Sequence, residues 1–171
     1  MRTLTLLTTL AALAGCTPRT APPITPATQT LPQEHAHGDD DDHARGKMMI
    51  GHLGKYHAGL TAHLSAKDGN ELDIFVETIA DEPTPVALAV TALAGTARRG
   101  AEEFPLTFTP APADERPKGE AAGTCSHFVA KAAFLKPDDT LGVTVEVEIE
   151  GRKRKCVWKG FEVKRFTHHA D

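Results

Sequence analysis

From about Gly51 onward, apolar and polar side chains alternate with a period of two in short runs, and clusters of Gly, Pro and Asp separate the runs at strand-like spacing. Residues 56–64 place Tyr56, Ala58, Leu60, Ala62 and Leu64 on one face and His57, Thr61 and His63 on the other. Residues 72–78 repeat the scheme with Leu72, Ile74 and Val76 inward. Further strands are predicted over residues 86–93, 104–109, 127–134, 143–149 and 156–163, and residues 110–123, rich in Pro, Ala and charge, read as a long loop. Helix is largely absent from the pattern; the alanine-rich residues 85–94 are where it can be misread. About seven strands, all antiparallel, predict an all-β chain with a single immunoglobulin-like β-sandwich over residues 51–171, following a disordered tether.

Two hairpins can be placed in register from side-chain chemistry. If Asp68-Gly69-Asn70 closes a three-residue loop, Leu64 falls opposite Ile74 and Ala62 opposite Val76, so both apolar faces coincide. A four-residue loop, Gly151-Arg152-Lys153-Arg154, would set Glu150 against Lys155 and Glu146 against Lys159. It would also set Ile149 against Cys156 and Val147 against Trp158, with opposite charges meeting outside and apolar groups inside.

The N-terminus is of another kind. Arg2, an apolar stretch over residues 4–13 and the small residues Ala14 and Gly15 precede Cys16, a stretch too short to span a bilayer and laid out as a cleaved signal. Leu13-Ala14-Gly15-Cys16 resembles the lipobox of bacterial lipoproteins. The resemblance implies that residues 1–15 are a signal peptide, that Cys16 becomes the lipidated N-terminus, and that the protein faces the periplasm on a membrane anchor. Acyl chains at ~0.8 kcal/mol per buried methylene make such anchoring effectively permanent. Thr17 stands where the inner-membrane retention rule has Asp, which favours the outer membrane.

Residues 16–50 form a linker and leader. Residues 17–33 are Thr, Pro and Ala with few large apolar groups, a loose tether. Then Glu34-His35-Ala36-His37-Gly38-Asp39-Asp40-Asp41-Asp42-His43 gathers imidazoles and carboxylates in one run. Neutral imidazole suits zinc, nickel and copper, and carboxylates add charge, so His35, His37, Asp39, Asp40 and His43 are the candidate metal ligands. A disordered chelator loses chain entropy on binding and gains affinity only if the folded domain supplies further ligands. The same run also reads as a solvated spacer.

The formal charge of −4 becomes −5 once Arg2 is removed, and Glu34 with Asp39 to Asp42 puts five acidic groups in one short run. Nothing in this balance calls for nucleic acid. The basic run at residues 152–155 reads as a solvated turn or as a patch for anionic headgroups or for the acidic leader. His57 and His63 lie ~20 Å apart along a straight strand and cannot share an ion, while His52 can approach the acidic run. His168 and His169 end the last strand. Met48 and Met49, entering the domain together, read as core or as soft ligands. With Cys16 committed to lipid, Cys125 and Cys156 are an even pair in an oxidising compartment, and a disulfide between them is expected. His127, two residues from Cys125, leaves metal ligation by the thiolates as the alternative.

Enzyme signatures are absent: there is no G-x-S-x-G, H-E-x-x-H, G-x-x-x-x-G-K-[ST] or C-x-x-C, and the chain reads as non-catalytic. Gly54-Lys55-Tyr56-His57-Ala58-Gly59-Leu60, after a His-rich segment and before a Lys-Asp-Gly turn, resembles a group of small secreted bacterial proteins that have a His-rich leader and a β-sandwich. These occur beside metal-efflux systems, which implies metal handling without implying a ligand set. The sequence therefore predicts a lipid-anchored envelope protein that binds or buffers divalent transition metal. The alternative is a structural or protein-interaction lipoprotein with an envelope partner and the leader as a spacer.

Overall fold

The computed structural model describes residues 43–45 and 47–170. The predicted signal peptide, Cys16, His35, His37, Asp39 and Asp40 lie outside them. Ten strands form: β1 (His43–Arg45), β2 (Met48–Leu53), β3 (Tyr56–Leu64), β4 (Glu71–Thr78), β5 (Leu93–Arg99), β6 (Glu102–Pro110), β7 (His127–Lys131), β8 (Thr140–Ile149), β9 (Arg152–Glu162) and β10 (Thr167–Ala170). The described residues contain no helix, and apart from β10 they form the all-β, antiparallel structure that the alternation requires.

The strands join in the order β1-β2-β3-β4-β7-β6-β5-β8-β9, with β10 beside β3. Strands β5, β6 and β7 are successive neighbours while β8 returns to lie beside β5, a Greek-key connection. The sheet bends at β6, whose main length pairs with β5 while Thr109 and Pro110 pair with Val129 and Phe128 of β7. It then curls until β9 meets β2. The buried Trp158 indole N–H is shared between the carbonyls of Met49 (3.0 Å) and Ala58 (3.2 Å). Gly51 makes this approach possible, because a Cβ there would lie 2.5 Å from Cys156 Sγ. The inward positions, among them Leu60, Ile74, Phe108, Phe128, Val145 and Phe161, form one core.

Several details depart from the sequence reading. Strands β1 and β2 precede the expected start at Gly51, since Met49 and Leu53 already alternate into the core. Residues 86–92 contribute no strand, only the isolated bridge of Leu88 with Cys125, next to that of Pro85 with Glu77. Pro85 has no N–H to extend a ladder, and the strand begins at Leu93. β7 stops at Lys131. β10 runs parallel to β3, not antiparallel.

Both hairpins keep the expected faces but not the expected registers. Ile74 faces Leu60 and Val76 faces Ala58, because the loop takes in all of residues 65–70. That loop is closed internally, with the Ser65 N–H donating to Asn70 Oδ1 and the Asn70 amide donating to Leu135 O at 2.9 Å. At the last hairpin the turn is Glu150-Gly151, with φ of 52° and 71°. Two left-handed residues match the twist of the flanking strands, so Val145 faces Cys156, Val143 faces Trp158 and Glu146 faces Lys155. Lys155 sits 3.4 Å from Glu146, and Glu150 instead receives Lys55 at 2.8 Å.

Candidate functional site

The strand period that buries Leu72, Ile74 and Val76 turns their neighbours onto the opposite face of the sheet, and chemistry collects there. Across β2, β3 and β4, His52, His57 and Glu77 are register partners in one row. Two rows on, Gly59, Phe75 and His127 align across β3, β4 and β7, and beyond them His63, Glu71 and Lys131 do the same. Glu71 and Lys131 form an ion pair.

The His52 and His57 rings meet edge to face, with centroids 5.0 Å apart and planes at 66°. The two-residue turn Gly54-Lys55 fixes this pairing: Leu53 is the register partner of Tyr56, and Gly54 has φ 68°. Glycine at the first central position is what such a tight hairpin needs.

His127 and Asp73 form the most buried polar pair of the face, with side-chain exposures of 8% and 7%. His127 Nε2 donates to Asp73 Oδ1 at 2.9 Å, and Nδ1 reaches the carbonyl of Glu115 at 3.2 Å. A carbonyl only accepts, so Nδ1 carries a proton, and opposite an ionised Asp73 the geometry lets Nε2 donate as well, an arrangement that favours the imidazolium. Burial pushes the His127 pKa down, but the hydrogen bond and charge of Asp73, helped by the Glu115 carbonyl, outweigh it and the net direction is up. Phe75 stacks on the ring at 4.2 Å, a placement suited to a cation. Asp73 Oδ2 is buried and has no hydrogen-bond partner.

Residues 110–123, the predicted loop, fold over this pair. Arg116 Nε donates to Ala111 O at 2.6 Å, and Glu120 Oε1 accepts from the Ser126 N–H at 2.9 Å and from the Ser126 hydroxyl. Between these fastenings the loop is held by His127 on Glu115. Loop and sheet together bound a cleft of about 1110 Å³, with Asp73, Phe75, Thr107, Thr109, His127 and Val129 among its lining.

Cys125 and Cys156, the expected disulfide partners, stand in this structure as free, buried thiols. Cys125 is bridged to Leu88 and its Sγ donates to His127 O at 2.7 Å, whereas Cys156 faces Val145 and packs against Gly51. Burial pushes the Cys156 thiol up to about 12, and a neutral thiol is a poor metal ligand.

Of the predicted ligands, His43 opens β1 as the register partner of Ile50. His169, in β10, is the register partner of His63. Met49 is core and Met48 half-exposed, its Sδ close to Gly59. The basic residues 152–155 run along β9 opposite Glu146 and Glu148. Among the described residues no three His, Cys, Asp or Glu side chains gather into a ready-made metal cage. Sequence reasoning missed the His52/His57 contact and the His127/Asp73 pair, both of which depend on strand pairing. In comparison with known proteins, no family model, curated protein or solved structure matches the chain.

Proposed function

We propose that this is a lipid-anchored envelope protein that captures or buffers a divalent transition metal, zinc, nickel or copper, through its His/Asp leader. The observation that carries this reading is where the leader meets the fold. His43, the last of the leader histidines, is tied by β1 to Ile50, two positions before His52 on the same strand. A chelating segment anchored at one end to a strand has less chain entropy to lose on binding than a free one. The lipid anchor rests on the leader pattern ending at Cys16, and the periplasm-facing, outer-membrane location follows from the same pattern.

Replacing His35, His37 and His43 with Ser tests the metal reading by equilibrium dialysis. Retention should fall while the β-domain stays folded, and unchanged retention would overturn it. Cys16→Ser should move the protein from the membrane fraction to the soluble one. The second reading, docking of another envelope protein, is favoured by the cleft over β4, β6 and β7. Thr109→Arg, placed on the cleft lining, should block docking under that reading and leave metal retention intact.

A further inference from the structure

We infer that His52 and His57 form a two-imidazole seat for one divalent transition-metal ion on the outer face of the sheet. The inference deepens the metal reading above, since it names ligands in the folded domain, yet it rests on geometry within β2 and β3 alone.

The first argument is distance. Zinc–nitrogen bonds of about 2.0–2.1 Å at a near-tetrahedral angle place the centroids of two bound imidazole rings about 5 Å apart. His52 and His57 already stand with centroids at 5.0 Å. The spacing of the two rings therefore already matches that of a shared ion. The second argument is rigidity. The two residues are direct register partners across a hairpin whose turn is closed by Gly54 at φ 68°. The inner sides of the same strands are fixed by Leu53, Ala58 and Leu60, all fully buried. Little order remains to be imposed by the ion, which is the cost that limits a free His-rich peptide.

The third argument is charge and access. Glu77 is the register partner of His57 on the far side and puts an acidic residue in the same row, while His52 is exposed and His57 half-exposed. Two protein nitrogens leave the remaining coordination positions to water. The arrangement is that of an open site, suited to picking up and passing on an ion, and unlike a closed structural cage. Both nitrogens of His127 are engaged by Asp73 and the Glu115 carbonyl, which keeps it out of this seat.

The test is imidazole ¹⁵N NMR of the full chain, leader included, titrated with zinc chloride at neutral pH. The first equivalent should move the ring nitrogens of His52 and His57 together. His52→Gln, which keeps a polar side chain at an exposed position and should fold normally, should abolish the response at His57 and weaken zinc binding at least about tenfold, since even loss of an outer-shell partner costs that much. In the Ser variant of His35, His37 and His43, the His52/His57 response should persist, so that failure of the leader reading and failure of this one are separable. If zinc moves neither ring, or only one, the pair is an edge-to-face contact and the inference is wrong.

Discussion

The His127–Asp73 pair makes a pH dependence that can be worked out in sign. Its pKa in the folded protein is raised above the unfolded value near 6.5 by Asp73 and the Glu115 carbonyl, against the opposing effect of burial. The stabilisation from this proton is therefore fully present below about pH 6.5 and is lost as pH rises through the raised folded value. Each unit of upward shift corresponds to about 1.4 kcal/mol. Asp73→Asn removes the anion and leaves the imidazole facing a buried amide. Breaking one side of a buried pair costs about 3–5 kcal/mol if the remaining charge persists, and His127 can limit the loss by giving up its proton. The expected result is a destabilisation of a few kcal/mol at pH 6 that shrinks toward pH 9, read by urea unfolding of both proteins at each pH. His127→Gln should remove the same pH-dependent component. A stability difference between native protein and Asp73→Asn that stays constant, or grows, from pH 6 to pH 9 would refute the imidazolium assignment.

The remaining predictions concern the core and its thiols. Trp158→Phe deletes the indole donor shared by the Met49 and Ala58 carbonyls and should cost about 1–3 kcal/mol in urea unfolding. Gly51→Ala drives a methyl group to 2.5 Å from Cys156 Sγ and should destabilise by about 1–3 kcal/mol; near-native stability would show that β2 and β9 are not in contact. Cys125 and Cys156, both buried and Cys156 pushed up to about 12, should be unreactive to a thiol reagent at pH 8 in the native protein and both titrate on unfolding. Failure to titrate in urea would mean a disulfide after all. Glu150→Asn, a better left-handed turn former at φ 52°, should raise the melting temperature of the last hairpin's host.

The alternation that buries Leu72, Ile74 and Val76 made β3, β4, β6, β8 and most of β9 legible, because it is local and dictated by one half-buried face. Register was not legible. Displacing a hairpin by an even step leaves the same side chains inward, so the pattern could not separate Leu64 opposite Ile74 from the observed Leu60 opposite Ile74. Only loop chemistry decides, and at Glu150-Gly151 it overruled the charge pairing that seemed to favour a longer loop. The candidate site was half legible. His57 and His63 stood out on the polar face of their strand, while the turn at Gly54 that brings His52 to His57 went unread. Asp73 did not stand out, and His127, far from it in sequence, did so only as a neighbour of Cys125. Their burial comes from residues 110–123 folding over the sheet, for which no local pattern gives a signal.

The central claim, capture of a transition metal, is tested most directly by isothermal titration of the full chain with zinc, nickel and cupric ion in turn, at neutral pH and moderate salt. Micromolar or tighter binding of one ion, lost when the leader histidines and His52 and His57 are replaced together, is the predicted result. No binding beyond that of a generic His-bearing peptide of equal length would contradict the claim and leave the β-domain as a docking module.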